Sequence, residues 1–198
     1  MATLRAERRK IVRIAVGSPN DLQEERRRFR DVIYEVNEIK AASLGMQLEA
    51  VGWENILPGR GRPQSLINME IEHSDLFVLL FWRKWGTPSG SYSSGTEEEF
   101  EVARSANTRS GGHPDIWLYF RSVSSEMLAD PGDQLSKLLA FKRRIEEDRS
   151  FLYRTYDLPE TWEKDFRRHL ALWLDRYRAG PAVSGARALR GKIRPLGS

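Results

Sequence analysis

Asp75-Leu-Phe-Val-Leu-Leu-Phe-Trp82 is the stretch on which the fold turns. Seven apolar residues follow one another without interruption, closed by Asp75 on one side and by Arg83, Lys84, Gly86 and Pro88 on the other. A strand with one wet face would alternate polar and apolar positions. An unbroken apolar run predicts a strand covered on both faces, central in a parallel sheet. The loop 83–95 then leads into Thr96-Glu-Glu-Glu-Phe-Glu-Val-Ala103, which has the spacing of a helix.

The same alternation of strand and helix extends outward. Ile11 to Val16 predicts a buried strand, followed by the turn Gly17-Ser-Pro-Asn-Asp21 and a long helix bearing Phe29, Val32, Ile33, Val36 and Ile39 that ends near Gly45. Met46 to Trp53 alternates as a strand near a sheet edge does, and Pro63 opens a helix that stops at His73-Ser74. Downstream, strands are predicted at 115–120 and 151–156. A helix starts at Pro131-Gly-Asp133, and a last one follows Leu158-Pro159 with Trp162, Phe166, Leu170, Trp173, Leu174 and Tyr177 as its apolar stripe. Five strands alternating with five helices imply an α/β fold, a five-stranded doubly wound parallel sheet of flavodoxin-type order 2-1-3-4-5 flanked by helices. Its switch point lies between strands one and three, where the loops 17–21 and 82–95 meet. Residues 1–10 form a basic lead, 11–179 the domain and 180–198 a Gly/Ala/Pro-rich basic tail or linker.

With 198 residues and 40% apolar content, the chain has enough material for one real core. It has no cysteine, which excludes disulfides, thiolate catalysis and Cys-ligated zinc. No run reaches the roughly 18 apolar residues of a membrane span, and the N-terminus has no apolar signal core, so a cytoplasmic protein without a membrane partner is expected. The net charge of +4 resides in Arg187, Arg190, Lys192 and Arg194 of the tail, leaving residues 1–179 neutral. Nucleic acid is therefore not an expected partner.

The usual catalytic signatures are missing: no P-loop, no Gly-x-Gly-x-x-Gly, no Gly-x-Ser-x-Gly elbow, and no metal spacing among His73, His113 and His169. What remains is a carboxylate. On a wheel of about 100° per residue, Glu99 falls in the middle of the face formed by Phe100, Val102, Ala103 and Ala106, whereas Glu97, Glu98 and Glu101 fall toward water. Two readings of Glu99 stand at this point. It could close a capping box with Thr96, or it could act chemically just beyond the carboxyl end of a central strand. Around it, Gly17 and Ser18 form a small-residue loop suited to approach by a ligand. Arg60 and Arg62 suit a pyrophosphate, and Trp82, Arg83, Lys84 and Trp85 combine indole faces with cations. An inward carboxylate beside aromatic and basic groups suits cleavage of an N-glycosidic bond, whose transition state resembles an oxocarbenium ion. With no second carboxylate assigned the leaving group should be a good one, and a cationic nicotinamidium leaves without help from a general acid; no separate cofactor and no metal are expected.

Several motifs together resemble one family: Gly17-Ser18-Pro-Asn-Asp21-Leu22-x-x-Glu25-Arg26, Gly59-Arg-Gly-Arg-Pro-Gln-Ser-Leu-Ile-Asn68, Ser74-Asp75 leading the central strand, and Trp82-Arg-Lys-Trp-Gly86 followed by Gly95-Thr-Glu-Glu-Glu-Phe100. Over residues 10–178 the chain resembles the TIR-like domains long classed as a domain of unknown function, found at the N-terminus of STAND- or NACHT-type proteins. The family is similar in fold to TIR NADases and nucleoside deoxyribosyltransferases, and the glutamate of both patterns lands on Glu99. The resemblance implies an NAD(P) glycohydrolase effector in immune or antiphage signalling, activated by assembly. Glu99 is then catalytic, and Gly17, Ser18, Arg60, Arg62, Asp75, Trp82, Arg83 and Trp85 bind substrate. It equally implies two alternatives: a non-catalytic self-association module, or a nucleoside or nucleotide N-glycosidase or transferase. A STAND or sensor region would be a partner in cis or in trans. Where TIR enzymes carry Trp-Cys before the glutamate, this chain has Ser93-Ser-Gly-Thr96.

Overall fold

A computed structural model describes residues 8–52, 62–149 and 151–179. The elements run β1 (Lys10–Gly17), α1 (Gln23–Val36), β2 (Met46–Val51), α2 (Pro63–Glu72), β3 (Leu76–Phe81), α3 (Gly95–Ser110), β4 (Asp115–Arg121), α4 (Ser125–Ala129), α5 (Gly132–Asp148), β5 (Tyr153–Tyr156) and α6 (Pro159–Ala179). All strand pairs are parallel, in the order β2-β1-β3-β4-β5. The register sets Ile14 against Leu76, Gly17 against Leu79, and Leu76 through Phe81 against Asp115 through Phe120.

Every residue of β3 is buried, which is why its sequence shows no alternation. Successive side chains still point to opposite faces. Leu76, Val78 and Leu80 join the core under α1 and α6, with Phe29, Val32, Trp162, Phe166 and Leu170. Phe77, Leu79 and Phe81 join the core under α3 and α5, with Phe100, Ala103, Leu138 and Phe141. Each fully buried side chain of this size contributes about 2 kcal/mol over its exposed state. The Phe29–Phe166–Trp162 stack, at 5.4 and 5.2 Å between ring centroids, fixes α6 across α1.

Three local departures from expectation stand out. The first helix reaches Gly45, but beyond Val36 it widens to a π turn at Asn37–Ala41 and tightens to a 3₁₀ turn at Ala42–Leu44. There the Asn37 side chain donates to Leu48 O (2.8 Å) and accepts from Leu48 N (2.6 Å), so a sheet contact competes with regular helix geometry. The second strand ends at Val51, and Trp53 to Gly61, including Arg60, lie outside the described residues, as does the expected tail. A short helix, α4, stands where a loop was expected; Ser124 caps it by accepting from Met127 N (3.4 Å).

Candidate functional site

The site forms where β1 and β3 diverge, and α3 supplies its carboxylate. That helix starts at Gly95, with Ser94 as N-cap: the Ser94 hydroxyl accepts from Glu97 N (3.0 Å). Glu97 Oε2 in turn accepts from Ser93 N (2.9 Å) and the Ser93 hydroxyl (2.6 Å). The capping role expected of Thr96 and Glu99 therefore falls to Ser93, Ser94 and Glu97. The N-cap lies two residues before Thr96, where the capping-box reading placed it, and Glu99 is free of any capping duty.

Glu99 points inward, as its place on the wheel required. Its Oε2 is shielded from solvent and has no hydrogen-bond partner among the described residues, although the residue as a whole is partly exposed. Its Oε1 accepts from Gln64 Nε2 at 3.2 Å. The tip lies against Gly17 at the end of β1, so closely that a Cβ there would sit 2.5 Å from Oε2 and 2.9 Å from Leu79 Cδ1 and Phe77 Cζ. Only glycine fits that position, for reasons of space. Burial pushes the Glu99 pKa up to about 7; the Gln64 hydrogen bond and the Arg26 charge pull it down, and Glu98 adds to the rise.

Glu98, expected in water, is buried instead. Packing of α2 against α3 brings Arg62 and Asn68 onto it, and Pro63 at the start of α2 sets Arg62 at the N-cap position. Arg62 donates to both Glu98 oxygens (3.0 and 2.6 Å) and to the Ser89 hydroxyl (2.6 Å), and Asn68 Nδ2 donates to Glu98 Oε1 (2.8 Å). Burial works against the Glu98 charge, but the bonds from Arg62, Asn68 and Ser89 outweigh it and its pKa is lowered. Two adjacent carboxyl groups thus have opposite tendencies: Glu98 is held ionised, and Glu99 is poised to titrate near neutrality.

The remaining expected residues fall into three groups. Gly17 and Ser18 are at the crevice, where Arg26 holds the loop by donating from Nε to the Ser18 hydroxyl and from Nη2 to Ser18 O, both at 2.8 Å. Trp82 and Arg83 are at its rim. The Arg83 and Arg121 guanidiniums lie 3.6 and 4.1 Å from the Trp82 ring centroid, so the indole is engaged by two cations. Trp85 and Asp75 are elsewhere. Trp85 is buried, stacked on Phe81 and donating from Nε1 to the Ser93 hydroxyl (2.7 Å), because residues 82–86 turn back over the α5 face. Asp75 is at the amino end of β3, opposite the crevice. It accepts from Arg13 N (2.8 Å) and from the Tyr177 hydroxyl, which ties α6 to the sheet.

Sequence reading assigned no role to four residues that organise the site. Gln64 reaches Glu99, and Asp21 Oδ2 accepts from the backbone N–H groups of Arg83 and Lys84, both at 3.1 Å. Glu25, fully buried, takes Arg121 and the Tyr156 hydroxyl, both at 3.2 Å, and its charge together with burial pushes the Tyr156 pKa up. Arg26 is the fourth. Gln64, Glu25 and Arg26 all lie inside the motifs quoted above, so a charged or amide residue within an apolar helical face was the signal that could have found them. Gln134 Oε1 accepts from Trp85 N (2.9 Å) and Gly86 N (3.0 Å), so the four amides from 83 to 86 are all engaged by Asp21 and Gln134. Among the described residues no group of three or more His, Asp or Glu is placed to hold a metal.

Residues 14–171 match the family described as a domain of unknown function, DUF4062. The chain belongs to that family. No curated protein matches it. Among solved structures, it is similar to the general stress protein 14 of Treponema denticola in complex with FMN, at 16% identity over 84% of this chain and 98% of that one, with a TM-score of 0.38. It is also similar to an oxidoreductase from Corynebacterium diphtheriae, at 12% identity over 87% and 96%, with a TM-score of 0.39. Likenesses this distant bear on neither ligand nor reaction. No helix among the described residues is long and apolar enough to cross a membrane.

Proposed function

We propose that this DUF4062 domain is an N-glycosidic-bond hydrolase acting on NAD or NADP, with Glu99 as the catalytic carboxylate. The observation that carries the reading is the Glu99 carboxyl itself: at the carboxyl ends of β1 and β3, relieved of capping, with Oε2 unpartnered and against Gly17. A buried polar atom without a partner is costly to a fold, and such strain is concentrated where it serves a site.

The chemistry runs as follows. As the C–N bond to nicotinamidium breaks, the bonding electrons neutralise the leaving ring and positive charge develops on the ribose. Ionised Glu99 stabilises that charge, and water adds to the ribose with loss of a proton. A charge stabilised in a low-dielectric site is worth about 10²–10³ in rate for one group. Gln64 orients the carboxylate through Oε1. Arg62, at the N-cap of α2, is bonded to the neighbouring Glu98, and a substrate phosphate would compete with Glu98 for its N–H groups. Assembly of copies, and a STAND or sensor region as partner, belong to the same proposal.

The test is release of the free base from NAD, NADP and a panel of purine and pyrimidine nucleosides, followed by chromatography. Nicotinamide from the dinucleotides alone supports the reading. Free base from the nucleosides, with the dinucleotides intact, would replace it by a nucleoside glycosidase or transferase.

A further inference from the structure

The amino ends of the strands carry a second concavity, remote from Glu99. A groove of about 900 Å³ lies between β4, the turn before it and the C-terminal half of α6. It exists because β5 is short: β5 begins opposite Leu118, while β4 begins at Asp115, so Asp115 to Trp117 are paired on the β3 side alone among the described residues. Asp115 N donates to Asp75 O (3.0 Å), so the odd-numbered residues at this end of β4 turn their backbone groups to β3. By the alternation of a parallel ladder, the N–H and C=O of Ile116 face the open side.

The walls and rim of the groove are chemically distinct. Leu152 is 96% exposed and Leu172 53%, an apolar wall that nothing in the described chain covers. Lys10, Arg154, Arg168 and Arg176 face a single carboxylate, Asp115, which already accepts from Trp173 Nε1 at 2.6 Å. Lys10 lies over the Tyr177 ring and Arg168 pairs with Asp165, whereas Arg154 and Arg176 have no ion-pair partner among the described residues. An open strand edge, an apolar wall and unpaired arginines are together complementary to an extended chain with leucines on one side and carboxylates on the other. The chain's own tail does not fit on charge, since it carries Arg187, Arg190, Lys192 and Arg194 and no acid. A nucleic acid would leave the two leucines and the Ile116 edge unused.

We propose that this groove docks an acidic, leucine-bearing segment of another protein in extended conformation, its backbone paired with Ile116 and its carboxylates with Arg154 and Arg176. With one main-chain pair, two exposed ion pairs and a small apolar contact, the affinity belongs in the micromolar range. The probe is a fluorescein-labelled octapeptide alternating aspartate with leucine or valine, titrated with the full chain and read by anisotropy. Its comparators are the same peptide with lysine for aspartate, and one N-methylated at its central residues. Saturable binding of the acidic peptide is expected, at least ten-fold weaker for the lysine and N-methylated forms. The Arg154→Glu, Arg176→Glu double variant and Leu172→Asp should each weaken it at least ten-fold while melting like the parent. No saturable binding, equal binding of the lysine peptide, or unchanged binding by folded variants would overturn the proposal. So would a concentration-dependent dimer of the parent that Leu172→Asp dissolves, because the groove would then belong to a second copy.

Discussion

At the scale of the residue, Glu99 is the group on which both the pH dependence of stability and the proposed chemistry rest. Its pKa is raised from the ordinary carboxylate value to about 7, so between roughly pH 4.5 and 7 the folded chain holds a proton that the unfolded chain has lost. Stability must therefore fall as pH rises through that window and level off above it. Glu99→Gln removes the titration. Relative to the parent it is expected to gain about 3 kcal/mol at pH 8 and nothing from this source below pH 4.5, as measured by urea unfolding at several pH values. Gly17→Ala places a methyl group against Glu99 Oε2, Leu79 and Phe77. It is expected to cost about 1–3 kcal/mol and to lower turnover, checked by denaturation and base-release assays. That Glu99 faces inward was readable from helical periodicity. Its contact with Gly17 was not, because nothing local encodes which glycine a carboxylate will meet across the sheet.

At the scale of the element, the start of α3 separates the capping reading from the chemical one. Ser94→Ala is expected to cost about 1 kcal/mol, and Thr96→Val to leave helix capping intact, both read by chemical denaturation. Equal losses would return the cap to Thr96. The sequence offered four consecutive hydroxyl or glycine positions before the glutamates, Ser93 to Thr96, and spacing alone cannot choose among them. The choice comes from Trp85, whose indole holds the Ser93 hydroxyl and so sets where the backbone enters the helix. A similar limit applies to Glu98. The wheel put it outside because a wheel knows one helix, and only the packing of α2 on α3 delivers Arg62 and Asn68 to bury it. Trp85 and Asp75 fell outside the site for the opposite reason: both sit in motifs that resemble a binding family, yet one fills the core and the other braces α6.

At the scale of the whole molecule, the strand order and the switch point followed from one apolar run and its alternating neighbours, because burial on two faces leaves few topologies. Asp21 and Gln134 hold residues 83–86, and Arg62 clasps Ser89, so the loop before α3 is tied down at both ends. Under the proposed mechanism the carboxylate form of Glu99 stabilises positive charge, so kcat/KM for dinucleotide cleavage is expected to rise about ten-fold per pH unit below 7 and to flatten above it. A profile flat from pH 5 to 8 would assign the chemistry to another group. The most direct measurement is nicotinamide release from NAD and NADP by concentrated protein, wild type beside Glu99→Gln, with matched circular dichroism. The account predicts release by the wild type, and loss of at least two orders of magnitude in a variant that is equally folded. Release unchanged by Glu99→Gln, or no release from wild type even under crowding that forces assembly, would contradict it.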